Sequence, residues 1–270
     1  MIRFIPTPIG NPQDITIRAI KAFEETELFL CEDTRHTKRL LRLLEERFDM
    51  VYPDAEFLSF NEHNGKDRLA QIAEQLPVKN VVYVSDAGTP VISDPGQILV
   101  AYCQKKEIEY DVLPGASAVT TAYAASGFKE GEFTFFGFLP QKGQDRSLAL
   151  NKVMNSSYNT VVYESPHRLL KLIEQIVHID ANRELFLAKE LSKKFQNYYR
   201  GNATEALEFI QSAEIRGEWV VVIKAIEGIP KTLSFDDVFA SDIPPKAKAK
   251  LLAKLSDKSV KEHYEILINS

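Results

Sequence analysis

Val84-Ser85-Asp86-Ala87-Gly88-Thr89-Pro90-Val91-Ile92-Ser93-Asp94-Pro95-Gly96 is the stretch whose reading decides the fold. Ahead of it, Asn80-Val81-Val82-Tyr83-Val84 is a short β-branched, apolar run that reads as a buried strand. Behind it, Gln97-Ile98-Leu99-Val100-Ala101-Tyr102 takes a helical period. Asp94 is expected to cap that helix and Pro95 to occupy its first position, where a missing N–H costs nothing. Two compact turns rich in Gly, Pro, Ser, Thr and Asp join strand to helix. Ligands of open parallel sheets bind beyond the carboxyl ends of the strands, so this loop is the first place to look for one. It lacks the G-x-x-x-x-G-K-[ST] and G-x-G-x-x-G patterns that suit phosphate. Amides, hydroxyls and two carboxylates without a lysine suit a ligand with ribose hydroxyls and some positive charge.

Working outward, the same rhythm repeats. Residues 2–5 read as a strand followed by the turn Thr7-Pro8-Ile9-Gly10-Asn11-Pro12, with Asp14 expected to cap a helix. Leu28–Cys31 is a second strand, delivering Glu32-Asp33-Thr34-Arg35-His36, where Thr34 is the expected cap of a helix that turns Leu40, Leu41, Leu43 and Leu44 inward and leaves Arg35, Lys38, Arg39 and Arg42 in water. Glu56–Phe60 and Tyr110–Leu113 complete five strands that alternate with helices, the signature of a parallel α/β sheet. Every strand then ends in polar turn chemistry on one shared edge.

Around Gly127–Gly131 the rhythm breaks. A second, mixed α/β unit of four or five strands is expected from Phe133–Pro140, Val161–Tyr163, Glu184–Ala188 and Gly217–Ile223, with a mobile turn at Gln141–Arg146 and a helix starting within Arg200–Thr204. After Gly228 and Pro230 the chain becomes helical and basic, with Lys246, Lys248, Lys250, Lys254, Lys258 and Lys261 opposite Ala249, Leu252 and Leu255. The expected division is 1–127, 128–229 and a helical tail, 230–270. The tail's charges read either as a solvated helix face or as a nucleic-acid contact.

The 270 residues are 44% hydrophobic and 26% charged, enough for two modest cores. A formal net charge of -5 excludes a generic polyanion binder, so any nucleic-acid contact must come from a local patch. Cys31 and Cys103 are the only cysteines and fit buried free thiols in a reducing compartment. No run approaches the ~18 apolar residues that would span a bilayer, and a cytoplasmic protein is expected. The histidines lack ligand spacing, so no metal is expected.

Thr7–Asn11, Cys31–Arg35, Ser85–Gly96, Leu113-Pro114-Gly115-Ala116-Ser117-Ala118, Gly137-Phe138-Leu139-Pro140 and Glu164-Ser165-Pro166-His167-Arg168 occur in this order. Together they resemble the rRNA-methylating branch of the tetrapyrrole-methylase (class III) superfamily of S-adenosylmethionine enzymes, over essentially the whole chain. One departure is Ala116, where the branch more often has a proline. The resemblance implies two α/β domains with S-adenosylmethionine in the cleft between them, a small C-terminal helical extension, and usually a homodimer. It implies methylation of a cytidine ribose 2′-OH in the decoding region of 16S rRNA, on the 30S subunit. Methylation of a small tetrapyrrole or precorrin by the same fold, and a non-catalytic S-adenosylmethionine-binding assembly factor, stay as alternatives.

By the same resemblance, Pro8 and Gly10 would let the first loop approach the cofactor. Asp86, Ala87 and Gly88 would hold its ribose or methionine end, with Val91, Ile92 and Ser93 beside the sulfonium. Ser117, Ala118, Leu139, Trp219 and Val220 would close around the adenine, although Trp219 equally reads as core. A ribose hydroxyl needs its proton removed as the new bond forms. Asp33, Glu62, His63, Glu164 and Glu190 are the candidate acceptors on the convergent edge, and the choice among them stays open. Lys189 could polarise the hydroxyl. Arg35, Lys142 and Arg168 are candidate phosphate contacts, with Lys246 and Lys250 in the tail.

Overall fold

The computed structural model describes residues 1–61, 64–212, 214–226, 235–256 and 258–269. They fall into two compact units, Met1–Ala225 and Ile226–Ser270.

The first sheet has the order β3-β2-β4-β1-β5 and is parallel throughout, from β1 (Ile2–Phe4), β2 (Leu28–Cys31), β3 (Glu56–Ser59), β4 (Val81–Val84) and β5 (Tyr110–Val112). All four residues of β2 and of β4 are buried, as near-continuous apolar strands covered on both faces must be. Side chains alternate across the sheet. Ile2, Phe4, Leu28, Leu30, Val81 and Tyr83 face one way, onto Leu69 and Ile72 of α3 (Gly65–Ile72) and Leu99 and Cys103 of α4 (Gln97–Lys106). Phe29, Cys31, Val82 and Val84 face the other way, onto Ala19 and Phe23 of α1 (Ile17–Glu24) and Leu41 and Leu44 of α2 (Thr34–Phe48). Both cysteines are free and buried, and burial pushes the thiols up, to about 12 for Cys31 and about 11 for Cys103.

Helix starts differ in detail from the sequence reading. Thr16, not Asp14, caps α1 by accepting from the Ala19 N–H at 3.0 Å, because Asp14 closes a 3-10 turn at Pro12–Asp14. Asp33, not Thr34, caps α2. Asp94 caps nothing: its Oδ1 accepts from Gly96 N at 2.8 Å and from the Tyr83 hydroxyl at 2.9 Å, and α4 starts after Gly96, with Pro95 left in the turn. The buried phenol at the end of β4 has taken the carboxylate that a cap would have used.

The second sheet runs β6-β7-β10-β8-β9, with β6 (Phe133–Phe138) parallel to β7 (Asn159–Glu164) and antiparallel pairing between β7 and β10 (Trp219–Ile223), β10 and β8 (Glu184–Lys189), and β8 and β9 (Asn197–Asn202). β9 was not legible in the sequence, where Arg200–Thr204 read as a helix start. The helix there, α8 (Ala203–Ser212), begins after β9 with a reciprocal pair: Glu205 N donates to Asn202 Oδ1 at 2.9 Å and Asn202 N to Glu205 Oε2 at 3.1 Å. α6 (Gly143–Met154), α7 (Pro166–Ile179) and α8 cover one face. The other face packs on Ile9 and on Val119 and Ala122 of α5 (Ala118–Ser126), which joins the two sheets within the first unit. The segment read as a mobile turn contains Arg146, only 2% exposed, whose guanidinium lies 3.3 Å from the fully buried Glu164 carboxylate.

The tail unit contains α9 (Phe235–Ala240), α10 (Pro245–Leu252) and α11 (Val260–Asn269). The single run expected over 245–270 is two helices. Ser259 and Glu262 form a capping box that starts a new one, with Ser259 N donating to Glu262 Oε2 at 2.7 Å. Ala249 and Leu252 are buried as expected, while Leu255 is 45% exposed, because α10 ends before it. Gly228, Pro230 and the expected 229/230 boundary lie outside the described residues.

Gly10 sits where the first loop meets the second sheet. A Cβ there would lie 2.7 Å from the Leu191 carbonyl oxygen and 2.8 Å from the Ser192 carbonyl carbon. Gly10→Ala is therefore expected to lower stability by about 1–3 kcal/mol through overpacking, seen as a lower denaturant midpoint at unchanged slope.

Candidate active site

The Ser85–Gly96 loop is fastened to the loops that follow three other strands of its sheet. Thr7 and Gly88 exchange both backbone hydrogen bonds at 3.0 Å, tying it to the loop after β1. Thr89 Oγ1 donates to the Ala116 carbonyl at 3.0 Å, tying it to the loop after β5. Asp86 ties it to the loop after β2. Its Oδ1 accepts from Asp33 N at 3.2 Å, its Oδ2 lies 3.0 Å from His36 Nδ1, and its own N–H donates to Glu32 Oε2 at 3.1 Å. Three residues of the loop, Gly88, Val91 and Ser93, have φ of 80°, 75° and 69°. For β-branched Val91 that is an outlier costing about 1–3 kcal/mol, of the kind that collects at ligand sites and is held by its surroundings.

Beyond this loop lies a cleft of about 440 Å³, within the ordinary range for a small-molecule site. Ile9, Ser85, Ala87, Gly88, Thr89, Ile92, Ser93 and Asp94 form one wall, with Ser117 and Ala118 at the start of α5; Phe138, Tyr163, Glu164, Trp219 and Val220 come from the second sheet, and Ser165 from the start of α7. Its described lining includes four acids, Glu32, Asp94, Glu164 and Glu218, and no lysine or arginine. Such a lining repels nucleotide phosphates and attracts a cation.

The acids are not equivalent. Glu164, with no exposed side-chain surface, lies between two guanidiniums, 3.3 Å from Arg146 and 2.7 Å from Arg168. Arg146 and Arg168 also donate to the Pro140 and Leu139 carbonyls at 3.1 Å, so this triad holds the Gly137–Pro140 and Glu164–Arg168 segments together. Asp94 has a buried Oδ2 without a hydrogen-bond partner, and burial raises its carboxyl above the ordinary range despite the Gly96, Tyr83 and Val91 donors. An unpartnered acceptor in the wall is what a sulfonium or ammonium group would satisfy. Tyr163, pushed up to about 12 by burial and by nearby Glu218, stays a neutral hydroxyl beside it. The residues present fit S-adenosylmethionine: apolar and aromatic walls for the adenine, hydroxyls and backbone for the ribose, carboxylates for the positive charge.

The structure brings Ala87, Gly88, Ile92, Ser93, Ser117, Ala118, Trp219 and Val220 together around the cleft. Trp219 is both wall and core, 3% exposed and packed with the α6–α8 cluster. Pro8, Gly10, Asp86, Val91 and Leu139 stand outside the lining. Gly10 approaches Leu191 and Ser192 rather than the cleft, Val91 packs on the first-sheet core, and Leu139 is buried in the second. Asp86 stands at the rim, its carboxylate committed to α2.

Of the candidate proton acceptors, Glu62 and His63 lie outside the described residues. Arg35, bonded to Asp33 at 2.6 Å, holds the Asp33 carboxyl far below the usual range and makes it a poor base. Burial alone would raise the Glu190 carboxyl, but the Glu218 N–H and the Lys193 ammonium hold it below its usual value. Lys189 donates to the Glu214 carbonyl at 2.8 Å, outside the cleft lining. Arg168 is engaged with Glu164, so it is a strut before it is a phosphate contact; Lys142 flanks α6 and is exposed.

Sequence reasoning missed Glu32, Asp94, Phe138, Tyr163 and Glu218 as lining and His36 as a partner of Asp86. Glu32 and His36 stand in the quoted Cys31–His36 segment, so position relative to a strand end was the available signal. Nothing in the sequence showed that Tyr163 would face the cleft.

Along α2, Arg35, Lys38, Arg39 and Arg42 line an open groove of about 430 Å³ with Leu43 and Glu46. Arg35 pairs with Asp33, and Lys38 sits 4.8 Å over the Phe57 ring. Arg39 and Arg42 have no ion pair among the described residues. Residues 35 to 42 span about 10 Å of helix beginning at the cleft rim.

Residues 1–207 match the family model for Tetrapyrrole (Corrin/Porphyrin) Methylases. The chain is 43% identical to ribosomal RNA small subunit methyltransferase I of Helicobacter pylori, over 98% of this chain and 96% of that protein. It is also 43% identical to the protein of the same name from Campylobacter fetus, over 99% of this chain and all of that one. Among solved structures, uroporphyrin-III C-methyltransferase from Thermus thermophilus complexed with S-adenyl homocysteine shares the fold, with a TM-score of 0.56 at 14% identity, covering 82% of this chain and 96% of that one.

Asp94→Asn tests the cleft's charge. Asn keeps the acceptor for Tyr83 and Gly96 but carries no charge, so affinity for S-adenosylmethionine is expected to fall about 10- to 100-fold by calorimetry, the worth of a hydrogen bond to a charged group. Because burial raises the Asp94 carboxyl, its ionisation opposes folding. The parent should therefore lose stability as pH rises from the ordinary carboxylate range through the raised value, and Asp94→Asn should not.

Proposed function

The chain belongs to the tetrapyrrole (corrin/porphyrin) methylase family and is an S-adenosylmethionine-dependent methyltransferase, and from that premise we propose that it methylates the ribose 2′-hydroxyl of a cytidine in the decoding region of 16S rRNA. The observation that carries this reading is the acid-lined cleft, free of lysine and arginine among its described residues, whose wall residue Glu32 lies two positions before α2, the helix whose exposed face carries four cationic side chains. The first suits a cationic methyl donor and the second an RNA backbone. Near-full-length similarity to two small-subunit rRNA methyltransferases supports the same substrate and disfavours a small tetrapyrrole acceptor.

When bound, S-adenosylmethionine supplies an electrophilic methyl group on a good leaving group. The protein's part is to align the acceptor oxygen and to exclude water. On this reading the loops of residues 1–127 grip the donor, and the second sheet, within 128–229, covers it with Tyr163, Trp219 and Val220. Asp94 offsets the positive charge, Glu218 being paired with Lys193 at 3.0 Å. The acceptor strand follows α2, where Arg35, Arg39 and Arg42 meet successive phosphates, and Lys142, Lys246 and Lys250 add contacts outside the groove. The substrate is the assembled 30S subunit, the enzyme a homodimer, and the compartment the cytoplasm. No helix among the described residues is long and apolar enough to cross a membrane.

Mass mapping of 16S rRNA from cells with and without the gene tests the reading. One cytidine ribose methyl is expected to disappear with the gene, and an unchanged map would refute it. Arg39→Glu with Arg42→Glu is expected to weaken subunit binding and to reduce the salt dependence by about 0.7–0.9 in log–log slope for each phosphate no longer neutralised, with cofactor affinity unchanged.

A further inference from the structure

Of the acceptor candidates named from the sequence, Asp33, Glu164 and Glu190 are held as ion-paired or hydrogen-bonded carboxylates, while Glu62 and His63 lie outside the described residues. We propose that His36 accepts the proton of the ribose hydroxyl and that Asp86 is the residue that positions it. This inference rests on the ribose-methylation reading above.

The geometry is that of an oriented base. His36 Nδ1 lies 3.0 Å from Asp86 Oδ2. A carboxylate can only accept, so the imidazole must donate from Nδ1, which fixes the tautomer with its lone pair on Nε2. Nε2 has no partner among the described residues. Asp86 is itself fixed: Oδ1 accepts from Asp33 N at 3.2 Å, and its backbone N–H is held by Glu32 Oε2 at 3.1 Å. His36 in turn stands on the first turn of α2, whose cap is Asp33. A base oriented by a third group is the arrangement that activates hydroxyl nucleophiles in unrelated enzymes.

The position also fits. Glu32 and Ser85 both line the cleft, and they lie next to β2 and β4, which are neighbours in the sheet. Asp86 follows Ser85, so the pair sits at the rim, between the donor cleft and the basic groove of α2. His36 stands one turn before Arg39 on α2, on the cleft side of Arg39 and Arg42 in sequence. His36 is 62% exposed and Asp86 36%, open enough for a large substrate to approach and for the proton to leave afterwards to water.

The step balances. An oxygen lone pair of the hydroxyl forms the new C–O bond as the methyl–sulfur bond breaks, and that bonding pair stays on sulfur. The hydroxyl proton moves to Nε2, and the resulting imidazolium is stabilised by Asp86.

Three measurements test the assignment, one of them independent of turnover. In the protein without ligand, long-range ¹H–¹⁵N correlation spectra are expected to show neutral His36 protonated on Nδ1, and Asp86→Ala to release it toward the mixture of a free imidazole. His36 already protonated on Nε2 in the parent would overturn the proposal. His36→Asn keeps a side-chain donor near Asp86 but has no base at Nε2. With 30S subunits it is expected to lose about 10²- to 10⁴-fold in kcat, at unchanged KM for subunits and unchanged cofactor affinity. His36→Ala should regain part of its rate with added imidazole, which a purely structural role would not permit. Parent-like turnover by a folded His36→Asn overturns the inference while leaving the function intact. A parent that transfers no methyl to 30S subunits refutes the functional reading, and the inference falls with it.

Discussion

The carboxylate of Asp86 is the fastening on which the rest of the site depends. It reaches from the loop after β4 to the first turn of α2 and closes a ring with Glu32, Asp33 and His36. Together with the Thr7–Gly88 bridge and the Thr89–Ala116 bond, it makes the Ser85–Gly96 loop the hub of one sheet edge. Parallel strands create that edge, because their carboxyl ends fall side by side. The Thr7–Gly88, Asp86 and Thr89–Ala116 bonds tie the loops after β1, β2 and β5 to the one after β4.

The cleft and the chain's outer surface follow opposite electrostatic rules. An acidic protein that works on RNA must separate the charge that attracts its methyl donor from the charge that attracts its substrate. Here Glu32 and Asp94 stand in the cleft wall and Glu218, paired with Lys193, at its exposed edge, while α2 turns Arg35, Lys38, Arg39 and Arg42 to water. Glu164, also in the cleft wall, is neutralised by Arg146 and Arg168 and acts as a strut. Net charge of -5 therefore says little about the partner.

How much was legible depended on whether the signal was local. The five parallel strands, their burial and the convergent loops could be read from β-branched runs separated by Gly, Pro and Asp turns, and the motif loops could be read from the resemblance. β9 could not, because Asn197–Asn202 is polar, mostly exposed and defined by pairing with β8. Caps slipped by one or two residues wherever a second partner competed, as Tyr83 competes for Asp94. At the site, many residues of the quoted motifs line the cleft, others such as Gly10 and Leu139 do not, and the partners of these residues did not follow from sequence. Arg146 read as part of a polar turn because Glu164, its partner, lies 18 residues away. His36 read as a helix residue because Asp86 is 50 residues distant. Gly10 read as a cofactor contact, although the backbone that excludes a side chain there belongs to Leu191 and Ser192.

A crystal structure of the full chain with S-adenosylhomocysteine tests the central claim most directly. The account predicts the ligand in the cleft between the Ser85–Gly96 loop and the second sheet, with its sulfur on the Asp94 side and its open face toward His36 Nε2. Binding elsewhere, or a sulfur facing away from the rim occupied by His36 and Asp86, would contradict it.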